Sequence, residues 1–105
     1  MTGYNGWTNY ETWCFNLWID NNQGSQEYWQ EQAIEAYDNA DADHFSKEAN
    51  ASFILRESLK DTFENDAPDL GACVWSDLLN AALSEVNWQE IAEAMIENVA
   101  NEVAA

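Results

Sequence analysis

Positive charge is what this chain lacks most. Three Lys or Arg stand against 20 Asp or Glu, a formal net charge of −17 over 105 residues. Three cations cannot neutralise a run of phosphates, so direct nucleic-acid binding is excluded. A single histidine, His44, leaves little room for acid–base catalysis. Two cysteines, Cys14 and Cys73, do not make a disulfide framework. Each lies in an apolar stretch, where a free cysteine usually packs as a small hydrophobe. No apolar run approaches the roughly 20 residues needed to cross a bilayer. The start, Met1-Thr2-Gly3-Tyr4-Asn5, lacks the basic and apolar regions of a signal peptide. These absences predict a cytoplasmic protein without membrane contact.

Apolar material, in contrast, is plentiful. Hydrophobic residues make up 47% of the chain, with six Trp, four Tyr and four Phe. Disordered acidic segments are poor in aromatics, so a folded core is expected. The length suits one domain, residues 1–105. Charge of one sign on so small a domain repels itself and costs stability. Twelve Asn argue against adaptation to high temperature.

The apolar spacing is helical from end to end. Thr8 with Glu11 three residues on matches a capping box. Behind it, Trp13 with Leu17 and Cys14 with Trp18 fall at i, i+4, and Phe15 and Ile19 add a second apolar side, predicting a helix buried on most faces. Asn21-Asn22-Gln23-Gly24 reads as its end, with glycine as C-cap candidate. Ser25 is the expected cap of a second helix over 26–39, turned inward by Trp29, Ala33, Ala36 and Tyr37. A third, over 44–64, carries Ala51, Leu55, Leu59 and Phe63, with Phe45, Ala49 and Phe53 alongside. Pro68 separates it from a fourth helix, capped by Asp69, with Val74, Trp75, Leu78, Leu79 and Ala82 predicted inward. Asn87 with Glu90 opens the fifth, whose row is Trp88, Ile91, Ala92, Met95, Val99 and Val103. No segment alternates with period two and nothing repeats. The fold class is all-α, a compact bundle of four to five short helices.

The charge is unevenly placed. Lys47, Arg56 and Lys60 all fall in the third helix, leaving residues 1–43 and 61–105 without a base. Glu27, Glu31, Glu35 and Asp38 form one row on the second helix, about 200° around the axis from Trp29 at its centre. Glu90, Glu93 and Glu97 form a shorter row opposite Trp88 and Met95. No Lys or Arg sits at i±3 or i±4 to relieve the repulsion. Carboxylates repeat every 4.5–6 Å or so along a helix, while phosphates advance about 3.4 Å per residue of a DNA strand. A folded chain of this size exposes roughly 6,000 Å², hence about one net charge per 350 Å² against roughly 110 Å² for a duplex. Imitation of DNA therefore requires the acids to be gathered on one face. The competing readings are solvated helix faces that keep a Trp-rich protein soluble, and a halophilic origin in which salt screens the repulsion.

Other chemistry finds little support. A Cys–His pair has no local signature, and zinc would need His44, both cysteines and a carboxylate to converge. The segment around Asp38, Asp41 and Asp43 fails the EF-hand pattern, with neither Gly at loop position six nor Glu at twelve. Asn50-Ala51-Ser52 is a glycosylation sequon by letter only. No cofactor and no enzymatic activity are expected. Trp7 and Trp13 are candidates for a partner or dimer surface, set against the plainer reading that they are core.

Trp7-Thr8-Asn9-Tyr10-Glu11-Thr12-Trp13, followed by Leu17-Trp18-Ile19-Asp20-Asn21, resembles a short domain family of phages and plasmids whose hallmark is an Asn-Tyr-Glu-Thr-Trp start. The likeness covers residues 7–36 and implies origin in a mobile element more than an activity. In kind, the protein is similar to acidic anti-defence proteins that imitate DNA, among them antirestriction proteins and anti-CRISPRs. That similarity implies an inhibitor seated on the nucleic-acid-binding surface of a host defence complex, a CRISPR effector before a restriction enzyme. Glu27, Glu31, Glu35, Asp38, Glu90, Glu93 and Glu97 are then the phosphate surrogates. The partner is a basic nucleic-acid-binding protein in the host cytoplasm, and a homodimer is left open. The alternative is a non-enzymatic adaptor that docks through its aromatic N-terminal region and uses its acids for solubility alone.

Overall fold

Asparagine side chains set several helix boundaries in the computed structural model, which describes residues 3–104. Met1 and Thr2, part of the start read above for a signal peptide, and Ala105 lie outside the described residues. Five helices follow in order: α1 (Tyr10–Asn21), α2 (Gln23–Asn39), α3 (Lys47–Asp66), α4 (Val74–Glu85) and α5 (Trp88–Ala104). Among the described residues there is no strand, only an isolated bridge between Tyr4 and Trp7. The all-α bundle expected from the apolar spacing forms.

The caps differ in detail from expectation. Asn9, not Thr8, caps α1, its Oδ1 accepting from the Thr12 N–H at 2.9 Å. Asn22 closes α1 and caps α2 at once, its Oδ1 accepting from the Ser25 N–H. Gly24 therefore lies in the first turn of α2 and ends nothing. Ser46 caps α3, accepting from the Ala49 N–H at 3.1 Å, so His44 and Phe45 stay in the link. Asp69 instead accepts from the Gly71 N–H in a local turn, where Gly71 has φ 72°. As a result α4 starts late, at Val74, without a side-chain cap. Asn87 opens α5 as expected, its Oδ1 accepting from the Glu90 N–H.

Helices α2, α3 and α5 pack against one another, and α1 lies on α2 with smaller contacts to α4 and α5. Buried Ala33, Ala36, Ala51 and Ala92 let the backbones approach. Phe63 is stacked between Trp29 and Trp88, with ring centroids 5.8 and 5.7 Å away, and Phe15 meets Phe63 and Trp88 edge-on. Leu55, Leu59, Ile91 and Ile96 are closed off around it, each side chain worth about 1.5–3 kcal/mol of burial. The inward rows expected of the second, third and fifth helices hold, apart from exposed Val103. Phe45, expected beside Ala49 and Phe53, is also exposed.

Three further expectations fail. The first helix is not buried on most faces, because Trp18 is 71% exposed. On α4, Val74, Trp75 and Leu78 are 61, 66 and 57% exposed, and Ala82 is exposed too. Only Leu83 is buried there, with Leu79 partly so. The principal contact of α4 is with α1. Val74, Leu78 and Ala81 lie roughly 140–180° around the helix axis from Leu83, and all three are exposed. Neither cysteine is a buried filler: Cys14 is half-buried, and Cys73 stands exposed before α4.

Candidate functional site

A carboxylate opposite a helix's buried row is expected to face water, and six of the seven acids in the two rows do. Glu27, Glu31, Glu35 and Asp38 are all exposed along α2, as are Glu93 and Glu97 on α5. Glu90 differs. It is half-buried, and its Oε1 accepts the backbone N–H of Thr8 at 2.9 Å.

The rows are free of cations. Among the described residues the one ion pair is Arg56 with its neighbour Glu57 on α3, at 3.0 Å. Lys47 lies over the Tyr37 ring, 4.7 Å from its centroid. No helix carries a base in its last turn. Acids stand there instead: Asp20, Asp38, Asp66, Glu85 and Glu102. A helix C-terminus favours a cation, and each reversed charge costs about 0.3–1 kcal/mol at low ionic strength. At the C-terminal ends the charge is thus placed against the helix dipole in all five helices, while Glu11, Glu48, Asp77 and Glu90 in first turns are placed with it.

Tyr37 and Asp43 show how neighbours shape single groups. Burial, then the Glu48 carboxylate, raises Tyr37 above its ordinary value, and its hydroxyl donates to Glu48 at 3.4 Å. The backbone N–H of Phe45, then the Asn50 side chain, lowers the Asp43 carboxyl.

The packing of α2, α3 and α5 decides how the rows relate. Each row lies opposite its own buried row, and the helices meet around one core. Each row therefore points away from that shared core. Two grooves involve the α5 row. One of about 310 Å³ gathers Glu90, Glu93 and Glu97 beside Gly6 and Trp7. A second, about 510 Å³ between α3 and α5, joins Glu48 to Glu93 and Glu97. Neither includes an acid of the α2 row. The molecule exposes 6895 Å², about one net charge per 400 Å² and sparser than a duplex by several-fold.

Sequence reasoning missed what the polar residues of the N-terminal motif do. Asn9 caps α1, accepts from the Thr12 hydroxyl at 2.6 Å and donates to the Glu85 carbonyl at 2.6 Å. The fully buried Thr12 hydroxyl in turn accepts from the Asn87 N–H at 2.9 Å. With the Thr8–Glu90 bond, these contacts tie the motif to the α4–α5 junction more than seventy residues away. Before the motif, Asn5 and Gly6 have φ of 49° and 91° and form the tight turn that bridges Tyr4 to Trp7. A Cβ on Gly3 would run into the Trp7 carbonyl oxygen. The signal was legible in part: Asn9-x-x-Thr12 and Asn87-x-x-Glu90 share the Asn cap spacing.

Elsewhere, Tyr4, Tyr10 and Trp13 form an aromatic cluster with centroids 4.8–5.5 Å apart, and both tyrosines are exposed. An apolar pocket of about 430 Å³ opens among Cys14, Phe15, Trp18, Ile19 and Phe63. His44 is exposed in the α2–α3 link. Among the described residues no three His, Cys, Asp or Glu side chains converge as metal ligands, and no helix is long and apolar enough to cross a membrane.

No curated protein and no solved structure matches the chain. A family of unknown function, DUF7249, matches residues 1–104, and the chain belongs to that family.

Proposed function

We propose that this chain is a non-enzymatic, DNA-mimicking inhibitor from a mobile element that occupies the cationic nucleic-acid-binding channel of a host defence complex. A CRISPR effector is preferred to a restriction enzyme as the target. The observation that carries the reading is the absence of cations from the two carboxylate rows and from every helix's last turn. A protein whose acids served solubility alone gains nothing by setting them against its own helix dipoles. Acidic rows on two different helices suit a channel or clamp that meets more than one helix. A bundle 48 Å long and 31 × 30 Å across meets cations from more than one side when enclosed. A packed core presents these charges without an ordering cost at binding, and the anionic field speeds encounter.

The reading is tested by competition with DNA for a purified effector complex, over a salt series. Wild-type protein should displace DNA, with affinity falling steeply as salt rises. Changing Glu27, Glu31, Glu35 and Asp38 to amides should weaken displacement and flatten the salt slope while the fold survives. Displacement that is indifferent to salt and to these changes overturns the proposal. A second reading, an adaptor docking through its N-terminal aromatics, has the Tyr4–Tyr10–Trp13 cluster with its two exposed tyrosines in its favour. It predicts instead that Tyr10→Ala abolishes partner binding and the amide series does not.

A further inference from the structure

Among the described residues, α4 exposes three large hydrophobic side chains within five positions. Val74, Trp75 and Leu78, with Leu70 just before the helix, are each between 45 and 66% exposed. Contiguous apolar patches of about 300–600 Å² on soluble proteins are often functional. A patch of that size would form the apolar centre of a standard interface of about 800 Å² per partner. The face is a straight helical row, Val74 and Leu78 one turn apart with Ala81 and Ala82 a turn further on. Such a row packs against another helix laid alongside it.

Charge identifies the occupant. Glu85 lies almost in line with Val74 and Leu78, Asp77 about 60° to one side, and both are exposed. Asp66 and Asp69 precede the helix, and no base occurs between residues 61 and 105. A second copy of the chain would bring the same acids to the same row and a further charge of −17. A helix with an apolar row flanked by Lys or Arg would satisfy both the row and its acidic margin. We infer that the α4 face is a docking site for a cationic amphipathic helix of a partner protein. This contact requires neither carboxylate row, so it stands apart from the proposed mimicry.

The probe is a Leu–Lys peptide written with helical periodicity, compared with its scrambled isomer by calorimetric titration at physiological ionic strength. The periodic peptide should bind wild-type protein at least about tenfold more tightly than the isomer, a separation of about 1.4 kcal/mol. Trp75→Ser with Leu78→Ser should erase that ratio while leaving helical content and thermal midpoint unchanged. Amides in place of Glu27, Glu31, Glu35 and Asp38 should lower both affinities and keep the ratio, which separates failure here from failure of the mimicry reading. Equal binding of the two peptides overturns the inference, as does a ratio that survives the double change. So does sedimentation showing a wild-type dimer that the double change dissolves. Should the double variant lose helicity, amide shift mapping on the wild type decides: shifts centred on residues 70–82 support the site, and shifts centred on α2 or α5 overturn it.

Discussion

The last two helices share an apolar periodicity and meet opposite surroundings. α5 lies against both α2 and α3, and it buries Trp88, Ile91, Ala92, Ile96 and Val99. α4 leans chiefly on α1, buries Leu83 and leaves Val74, Trp75 and Leu78 to solvent. The capping follows the same division. Asn87 holds the start of α5, while Cys73 gives α4 no side-chain cap. An amphipathic pattern states that a helix has an apolar side, and neighbours decide whether that side is core or surface. Here α2, α3 and α5 form a body that carries the stability, and α4 is an arm attached at its C-terminal end.

The largest expected effect sets body against arm directly. Ile91→Ala empties a site with 0% exposure and should cost about 2–5 kcal/mol, the range for large-to-small core changes. Leu78→Ala on the arm should stay within about 0.5 kcal/mol, as surface changes do. Urea unfolding of the two variants checks both, and comparable losses would mean that α4 belongs to the body.

The junction comes next. Thr12→Val keeps the volume but removes the hydroxyl that accepts from the Asn87 N–H and donates to Asn9. An unsatisfied buried donor costs about 1–3 kcal/mol, and Thr12→Ser should recover part of it. The loss should also appear as faster hydrogen exchange at Asn87, where α4 meets α5. An unchanged exchange rate would mean that the Thr12 hydroxyl does not hold this junction.

How much of this could be read beforehand follows the same division. The rows of α2, α3 and α5 were legible because three helices around one core bury the side their spacing marks, as Ala33, Leu55 and Ile91 show. The exposure of Glu27, Glu31, Glu35, Asp38, Glu93 and Glu97 was legible for the same reason, being opposite those rows. The face of α4 was not, since its periodicity is that of a buried helix and only the missing neighbour reveals otherwise. Nor was the role of Thr8, Asn9 and Thr12, whose partners lie more than seventy residues along the chain. Glu90 was read as a phosphate surrogate from its spacing alone, yet its carboxylate already accepts a bond from Thr8. How the two rows sit relative to one another depends on three-dimensional packing, which no helical wheel contains.

Repulsion gives a smaller effect that spans body and arm. Because acids occupy the last turn of every helix and Arg56–Glu57 is the only ion pair among the described residues, added salt should screen more repulsion than attraction. The thermal midpoint should therefore rise from low to moderate sodium chloride. Amides at Glu27, Glu31, Glu35 and Asp38 should raise it at low salt and shrink the rise. A midpoint that falls with salt would contradict the cation-free description of the rows.

The smallest effect compares the links that lead into α3 and α4. Before α3, Asp43 accepts from the Phe45 N–H and from Asn50, which also donates to the Asp41 carbonyl, so this link is bound to the body. Before α4, Asp69 bonds only to nearby Gly71. The Asp43 carboxyl is lowered from its ordinary 3.8 because the Phe45 N–H and the Asn50 amide favour its charged form. A lowered folded value means that the stabilisation is complete above the unfolded value and lost as pH falls through the folded one. Between about pH 5 and the acid limit, wild-type stability should therefore include a decline that Asp43→Asn lacks. The other carboxylates titrate in both proteins, so the difference between the two urea midpoints across pH isolates Asp43. Asp69→Asn, whose side-chain bond to Gly71 stays within its own link, should track wild type throughout. If both variants depart from wild type equally, the two links are held alike and the division into body and arm stops at α4 itself.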